Sequence, residues 1–162
     1  MPDFLINTEN IFLQRGICEL LIEIANEENI FTPFLLHTCS PDTINLADIF
    51  FTEMETGEHY LCHPLFKKTP RQCRIFVFVA KTELIRTDRL PLCLQEAMFI
   101  SKNSDLQSIK KLIAHRLKEL CRPGVVKPEQ DSRRCLKCPR LTLTKSQLFI
   151  IDAINAGMNN QQ

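Results

Sequence analysis

The stretch QCRIFVFVA, residues 72–80, sets the tightest limit on what this chain can fold into. Aromatic and β-branched residues dominate it, and such side chains favour a pleated strand. Successive side chains of a strand point to opposite faces, so a run that is apolar at both odd and even positions has to be covered on both sides. An interior strand with a layer above and below it is therefore expected here. A second limit comes from residues 104–121, SDLQSIKKLIAHRLKELC. Leu106, Ile109, Leu112, Ile113, Leu117 and Leu120 recur there at the three- and four-residue spacing of one buried helical face. Asn103 or Ser104 can cap the first turn, Asp105 suits the positive end of the helix, and Pro123-Gly124 supplies a stop.

The other elements are read around these two. Residues 8–27 place Ile11, Phe12, Ile17, Leu20, Leu21 and Ile24 on a helical stripe that starts near Thr8 and Glu9. Residues 30–39 form a short extended or irregular segment broken by Pro33. Ser40, Pro41 and Asp42 resemble a helix start, which predicts a further helix to about residue 55, ended by Gly57. Strands are expected at 59–66 and 72–80, and residues 90–100 fit either strand or helix. Beyond a polar connector, CLKCPRLTLT closes on a candidate short strand, and KSQLFIIDAINAG reads as a last helix ended by Gly157. Helices, then strands, then helices argue for an α+β fold: a small mixed sheet packed by N-terminal helices and the long helix 104–121. One compact domain over residues 1–157 is expected, with a frayed tail at 158–162. Strand, connector, candidate strand and long helix is also similar to the opening of a ubiquitin-like β-grasp, a likeness of fold that implies no function.

Charge divides the chain. Residues 1–58 hold eleven Asp and Glu against a single Arg15, a net of −10. The remainder holds 19 Lys and Arg against 8 Asp and Glu, a net of +11. Either the acidic, helical part folds against the basic part 59–157, or the two meet different partners. The opening MPDFLINTEN lacks the basic and apolar regions of a signal peptide, and no run is long enough to span a bilayer, so an intracellular protein away from membranes is expected. In a reducing compartment the eight cysteines are core residues, metal ligands or reactive thiols rather than disulfides. Cys18, Cys62, Cys73 and Cys93 lie in apolar surroundings and suit the core.

Three constellations carry chemistry. Cys135-Leu136-Lys137-Cys138 is a CxxC knuckle, the spacing that lets two thiolates share one tetrahedral zinc. His115 and Cys121 are the nearest upstream partners, giving a candidate structural zinc site of His115, Cys121, Cys135 and Cys138. On a continuous helix His115 and Cys121 point about 120° apart, so the helix has to loosen near Glu119–Leu120, ahead of Pro123, for them to converge. HTC at 37–39 and HYLCH at 59–63 are rival ligand clusters. Pro139 directly after the knuckle opposes a redox role for the cysteine pair.

Leu117, Cys121 and Val125 form L-x3-C-x3-V, which resembles the elongin-binding box of cullin-ligase substrate adaptors. The resemblance covers nine residues and implies that the leucine and cysteine enter a pocket on a partner protein. Arg116 departs from it where the box has a small residue, and Pro123-Gly124 interrupts it. Lys110, Lys111, Arg116, Lys118, Arg133, Arg134, Lys137 and Arg140 are the third constellation, a basic run with the electrostatic footprint of a nucleic-acid binder. It has no interleaved aromatic residue to stack on bases, which favours its pairing with the acidic half. Phosphate loops, GxGxxG and GxSxG are absent from the sequence, and no carboxylate pair stands out by spacing. The expectation is a non-catalytic regulatory or adaptor protein working through protein contacts, with a candidate structural zinc. The alternative is a basic, zinc-containing nucleic-acid-binding module.

Overall fold

The computed structural model describes residues 3–29, the backbone of 35–38, and residues 43–55, 57–62, 65–66, 69–70, 72–83, 85–120, 147 and 150. Five strands form one sheet: β1 (Asp3–Asn7), β2 (Leu35–Thr38), β3 (Ile49–Glu53), β4 (Arg74–Val79) and β5 (Met98–Ser101). Helix α1 (Ile11–Glu27) joins β1 to β2, and helix α2 (Leu106–Leu120) follows β5. The strand order is β2-β1-β3-β4-β5, and every pairing is parallel. Helices and strands share one body, as the α+β expectation holds at that level. The sheet is parallel where a mixed one was expected, and its parallel pairings do not follow the hairpin opening of a β-grasp. No helix among the described residues is long and apolar enough to cross a membrane.

The parallel order fixes where the layers lie. Crossovers between parallel strands are right-handed, so a step to one side of β1 and steps to the other side run over opposite faces. The β1-to-β2 connection, α1, therefore covers one face, and the connections leading to β3, β4 and β5 cover the other. Phe4, Ile6, Ile49, Phe51, Phe76, Phe78 and Ile100 point to the helical face and pack with Ile17, Leu20, Leu21 and Ile24 of α1 and Ile113 and Leu117 of α2. Leu5, Phe50, Ile75, Val77 and Val79 point the other way, against Ile44, Ala47, Met54, Cys62, Phe66, Cys73, Cys93 and Leu94. That second layer includes 3-10 turns at Glu58–Tyr60 and Leu92–Leu94. β4 lies between β3 and β5 and is buried on both faces, as its continuous apolarity predicts.

Several elements differ from expectation for identifiable reasons. Residues 49–53 of the predicted second helix form β3, because Ile49, Phe50 and Phe51 supply buried side chains to both faces between β1 and β4. Residues 58–60 make a 3-10 turn instead of opening a strand, with Gly57 at φ +96° ahead of it. Residues 90–100 divide into a 3-10 turn and then β5. The segment DFLIN, to which no element was assigned, is β1. Helix α1 starts at Ile11, later than expected, because Asn10 is the cap: its Oδ1 accepts hydrogen bonds of 3.1 Å from the amides of Phe12 and Leu13. Asn29, at φ +52°, carries the chain out of α1. In α2 the cap is Asp105, whose Oδ1 accepts from the Ser108 amide at 2.9 Å, and Leu106 stays exposed. Gln147 and Ile150 are helical; the rest of the expected last helix, and the strand expected before it, lie outside the described residues.

Phe51 sits at the centre of the helical face, stacked between Phe4 at 6.5 Å and Phe76 at 5.0 Å between ring centroids. Replacing Phe51 by Ala is expected to cost about 3–5 kcal/mol in denaturant unfolding, through lost burial and the cavity left behind.

Candidate functional site

Where the strand order reverses, the connections leaving two neighbouring strands part to opposite faces and open a crevice beyond their carboxyl ends. Doubly wound sheets of the order 2-1-3-4-5 bind their ligands there. In this chain the reversal falls at β1, so the crevice lies beyond β1 and β3. The side chains delivered to it are Asn7 and Thr8 from β1, Thr52 and Glu53 from β3, and Lys102 from the turn after β5.

These groups bind one another. The Lys102 ammonium pairs directly with Glu53 Oε1 and lies 3.7 Å from Glu55 Oε1. Thr8 Oγ1 donates to Glu53 Oε2 at 2.5 Å and accepts the Asn10 amide at 3.1 Å, which ties the carboxylate to the start of α1. Asn7 Nδ2 donates to Thr52 Oγ1 at 3.4 Å. The Lys102 backbone is anchored too, its amide donating to the Val79 carbonyl at 2.8 Å. Glu53 and Lys102 are each mostly shielded, with side chains 19% and 32% exposed.

The electrostatics follow from the geometry. Hydrogen bonding from Lys102, and next from Thr8, holds the Glu53 carboxyl below its ordinary value. Glu53 in turn raises the Lys102 ammonium above its own. Both groups are driven away from neutral pH, the reverse of what a general acid or base working near pH 7 requires. The arrangement is suited to holding the ends of β1, β3 and β5 together.

A second charged seam runs between the helices. Lys110 is nearly buried and reaches Glu23 at 2.7 Å and Glu27 at 2.6 Å, the first of these being the larger cause of its raised pKa. Lys118 pairs with Glu28 at 2.7 Å. A groove of about 320 Å³ between α1 and α2 is lined by Glu27, Glu28, Lys110, Lys111, His115 and Lys118. The acidic half thus meets the basic half along this seam. Arg116 turns to Glu119 at 2.7 Å within its own helix.

The residues singled out in the sequence are placed as follows. His115 is exposed on α2, its Nε2 3.6 Å from Glu119, while Cys121, Cys135 and Cys138 lie outside the described residues. Among the described residues no group of three or more His, Cys, Asp and Glu is arranged to hold a metal. Leu117 is buried beneath α2 in the chain's own core, and Val125 lies outside the described residues. The basic residues Arg133, Arg134, Lys137 and Arg140 lie outside them as well. Cys62, Cys73 and Cys93 are buried and Cys18 is half-buried, in keeping with core roles. Glu53 and Lys102 were not among the expected site residues, although each follows a short apolar run and a single hydroxyl residue, Thr52 or Ser101, at the end of a strand.

His59 is a separate feature of the second layer. It is 3% exposed, packs 4.2 Å from the Tyr60 ring and 6.0 Å from Phe99, and neither ring nitrogen has a hydrogen-bond partner among the described residues. Burial lowers its pKa, against an opposing pull from the Glu55 backbone and the Glu58 carboxylate. Comparison of the chain with protein-family models, with curated proteins and with solved structures finds no match.

Two predictions follow from these geometries. Lys102→Met leaves Glu53 mostly shielded and without its cation, and is expected to cost about 1–2 kcal/mol at pH 7, between the values for exposed and buried pairs. Because the Glu53 pKa is depressed, the pair stabilises the fold above the ordinary carboxylate value of 4.5 and loses that effect as pH falls through the folded value. Denaturant midpoints of wild type and variant should therefore converge at low pH. For His59 the unfolded chain binds a proton at a higher pH than the folded one does, so stability drops as pH falls below about 6.5 towards the folded value. His59→Phe should remove that part of the slope, as read from unfolding midpoints between pH 7 and pH 5.

Proposed function

We propose that this chain is a non-catalytic regulatory or adaptor module that acts through protein contacts inside the cell. The observation that carries the reading is the crevice at the strand reversal. Where this topology ordinarily receives a ligand, Glu53, Lys102 and Thr8 neutralise and hydrogen-bond one another. A ligand entering there would have to separate an ion pair and replace its hydrogen bonds, and both ionisable groups sit at pKa values unsuited to proton transfer near neutrality. What such a body offers a partner is surface.

A structural zinc held by His115, Cys121, Cys135 and Cys138 belongs to the same proposal. The exposure of His115 supports it, since the ring is accessible to other ligands; α2 stays helical through Glu119 and Leu120, so the bend that brings Cys121 to His115 has to fall beyond Leu120. The second reading is a basic, zinc-containing module that binds nucleic acid. It rests on Lys111, Arg133, Arg134, Lys137 and Arg140, because Lys110 and Lys118 are engaged by Glu23, Glu27 and Glu28, and Arg116 by Glu119 of its own helix.

One set of measurements on purified chain separates these readings. Metal content by emission spectrometry should return about one equivalent of zinc, lost in Cys135→Ser. Nucleotides, inorganic phosphate and a low-salt oligonucleotide should leave the melting temperature unchanged. A shift with a nucleotide or phosphate that disappears in Lys102→Met would overturn the closed-crevice reading. A shift with the oligonucleotide that weakens with salt and in Arg133→Glu/Arg134→Glu would favour the second reading.

A further inference from the structure

Helix α1 has an outward face that the described residues leave uncovered. Ile17, Leu20, Leu21 and Ile24 fill the core side. On the opposite side Ile11 is 62% exposed, Phe12 87% and Ile22 46%. At roughly 100° per residue, positions 11, 12, 15, 19 and 22 fall within an arc of about 100°. From Ile11 to Ile22 the face therefore reads as apolar Ile11 and Phe12, then Arg15 and Glu19, then apolar Ile22, with exposed Asn26 following in the last turn. Arg15 is the only Lys or Arg in the first 58 residues, and neither it nor Glu19 makes an ion pair within the described residues. Gly16 borders the stripe in mid-helix. Among the described residues nothing beyond its chain neighbours and the helix's own backbone lies within 4 Å of where its β-carbon would be, so packing against them does not account for a residue that weakens a helix.

We propose that this face of α1 docks the same face of a second copy of the chain, antiparallel, across a two-fold axis level with Ile17. The pattern is self-complementary in that arrangement. Phe12 meets Ile22 of the second copy and Arg15 meets Glu19 of the second copy, and each contact occurs twice, as an isologous interface requires. Charge complementarity selects the occupant, because an apolar–basic–acidic–apolar stripe is its own partner when one copy is reversed. One helix face per copy lies at the small end of specific interfaces, so association is expected to depend on concentration. The proposal deepens the reading of the chain as a protein-contact module and names one surface for it.

Sedimentation of the full chain over a wide concentration range tests it. The mass should rise from the 18.8 kDa of one chain towards twice that value. Phe12→Ser should weaken association roughly tenfold or more, as expected for loss of an aromatic anchor. Arg15→Glu sets acid against acid and Glu19→Arg sets base against base, so each variant alone should remain monomeric while keeping the helical circular dichroism of the wild type. An equimolar mixture of these two variants should form a dimer, since every charge then faces its opposite. A wild-type chain that stays monomeric throughout overturns the proposal, as does a dimer insensitive to all three substitutions or a variant mixture that fails to associate. A monomeric chain that still binds a different protein through another surface would remove the dimer and leave the protein-contact reading standing.

Discussion

A parallel sheet has to be covered on both faces, and that requirement organises this molecule. Each crossover returns the chain to the starting edge on a face set by the direction of the step, so the reversal at β1 divides the connections into two layers. Helix α1 and the returning helix α2 cover one face. Turns and short segments carrying the buried residues Ile44, Cys62, Phe66, Cys73, Cys93 and Leu94 cover the other. Phe4, Phe51 and Phe76 line up across three adjacent strands beneath the helices, so the register of the sheet and the packing of its helical layer support each other.

The same reversal delivers polar groups to one place. Glu53 and Lys102 are far apart in the chain and meet only because β3 and β5 flank β4 and end at the same edge of the sheet. A carboxylate and an ammonium that satisfy each other in a mostly shielded crevice act as a clasp across strand ends. On the helical face Lys110 does similar work between α1 and α2, gathering Glu23 and Glu27. Both contacts join the acidic first part of the chain to the basic remainder, so much of the formal charge asymmetry is spent internally. On the proposed reading binding falls to exposed surface, and the outward face of α1 is the stretch proposed for it.

Part of this was legible in the sequence. QCRIFVFVA announced an interior strand because apolarity at both parities leaves no solvent face, and the period of residues 104–121 announced α2. Ser40-Pro41-Asp42 misled, since a helix-start signature preceded ADIFF, whose two-sided burial belongs to a strand. DFLIN gave a weak signal because three apolar residues between Asp3 and Asn7 fit many conformations, and β1 is stabilised by the pairings on its two sides. The Glu53–Lys102 clasp was invisible because no local spacing encodes it: strand order has to be known before their meeting can be read. The pairing of basic α2 with acidic α1 was foreseen as one of two outcomes, since the missing aromatic residues argued against a base-stacking surface. Leu106 was expected on the buried face and lies exposed, because Asp105 caps the helix one residue earlier and the first turn stands clear of the sheet.

The central claim is that the crevice is closed by the chain's own charges, and the titration of a single carboxyl carbon tests it most directly. The Glu53 side-chain carbon, followed by nuclear magnetic resonance as pH is lowered, should titrate below the ordinary value of 4.5 and move back towards it in Lys102→Met. Titration of Glu53 at or above 4.5 in the wild type, unchanged by loss of Lys102, would contradict the account.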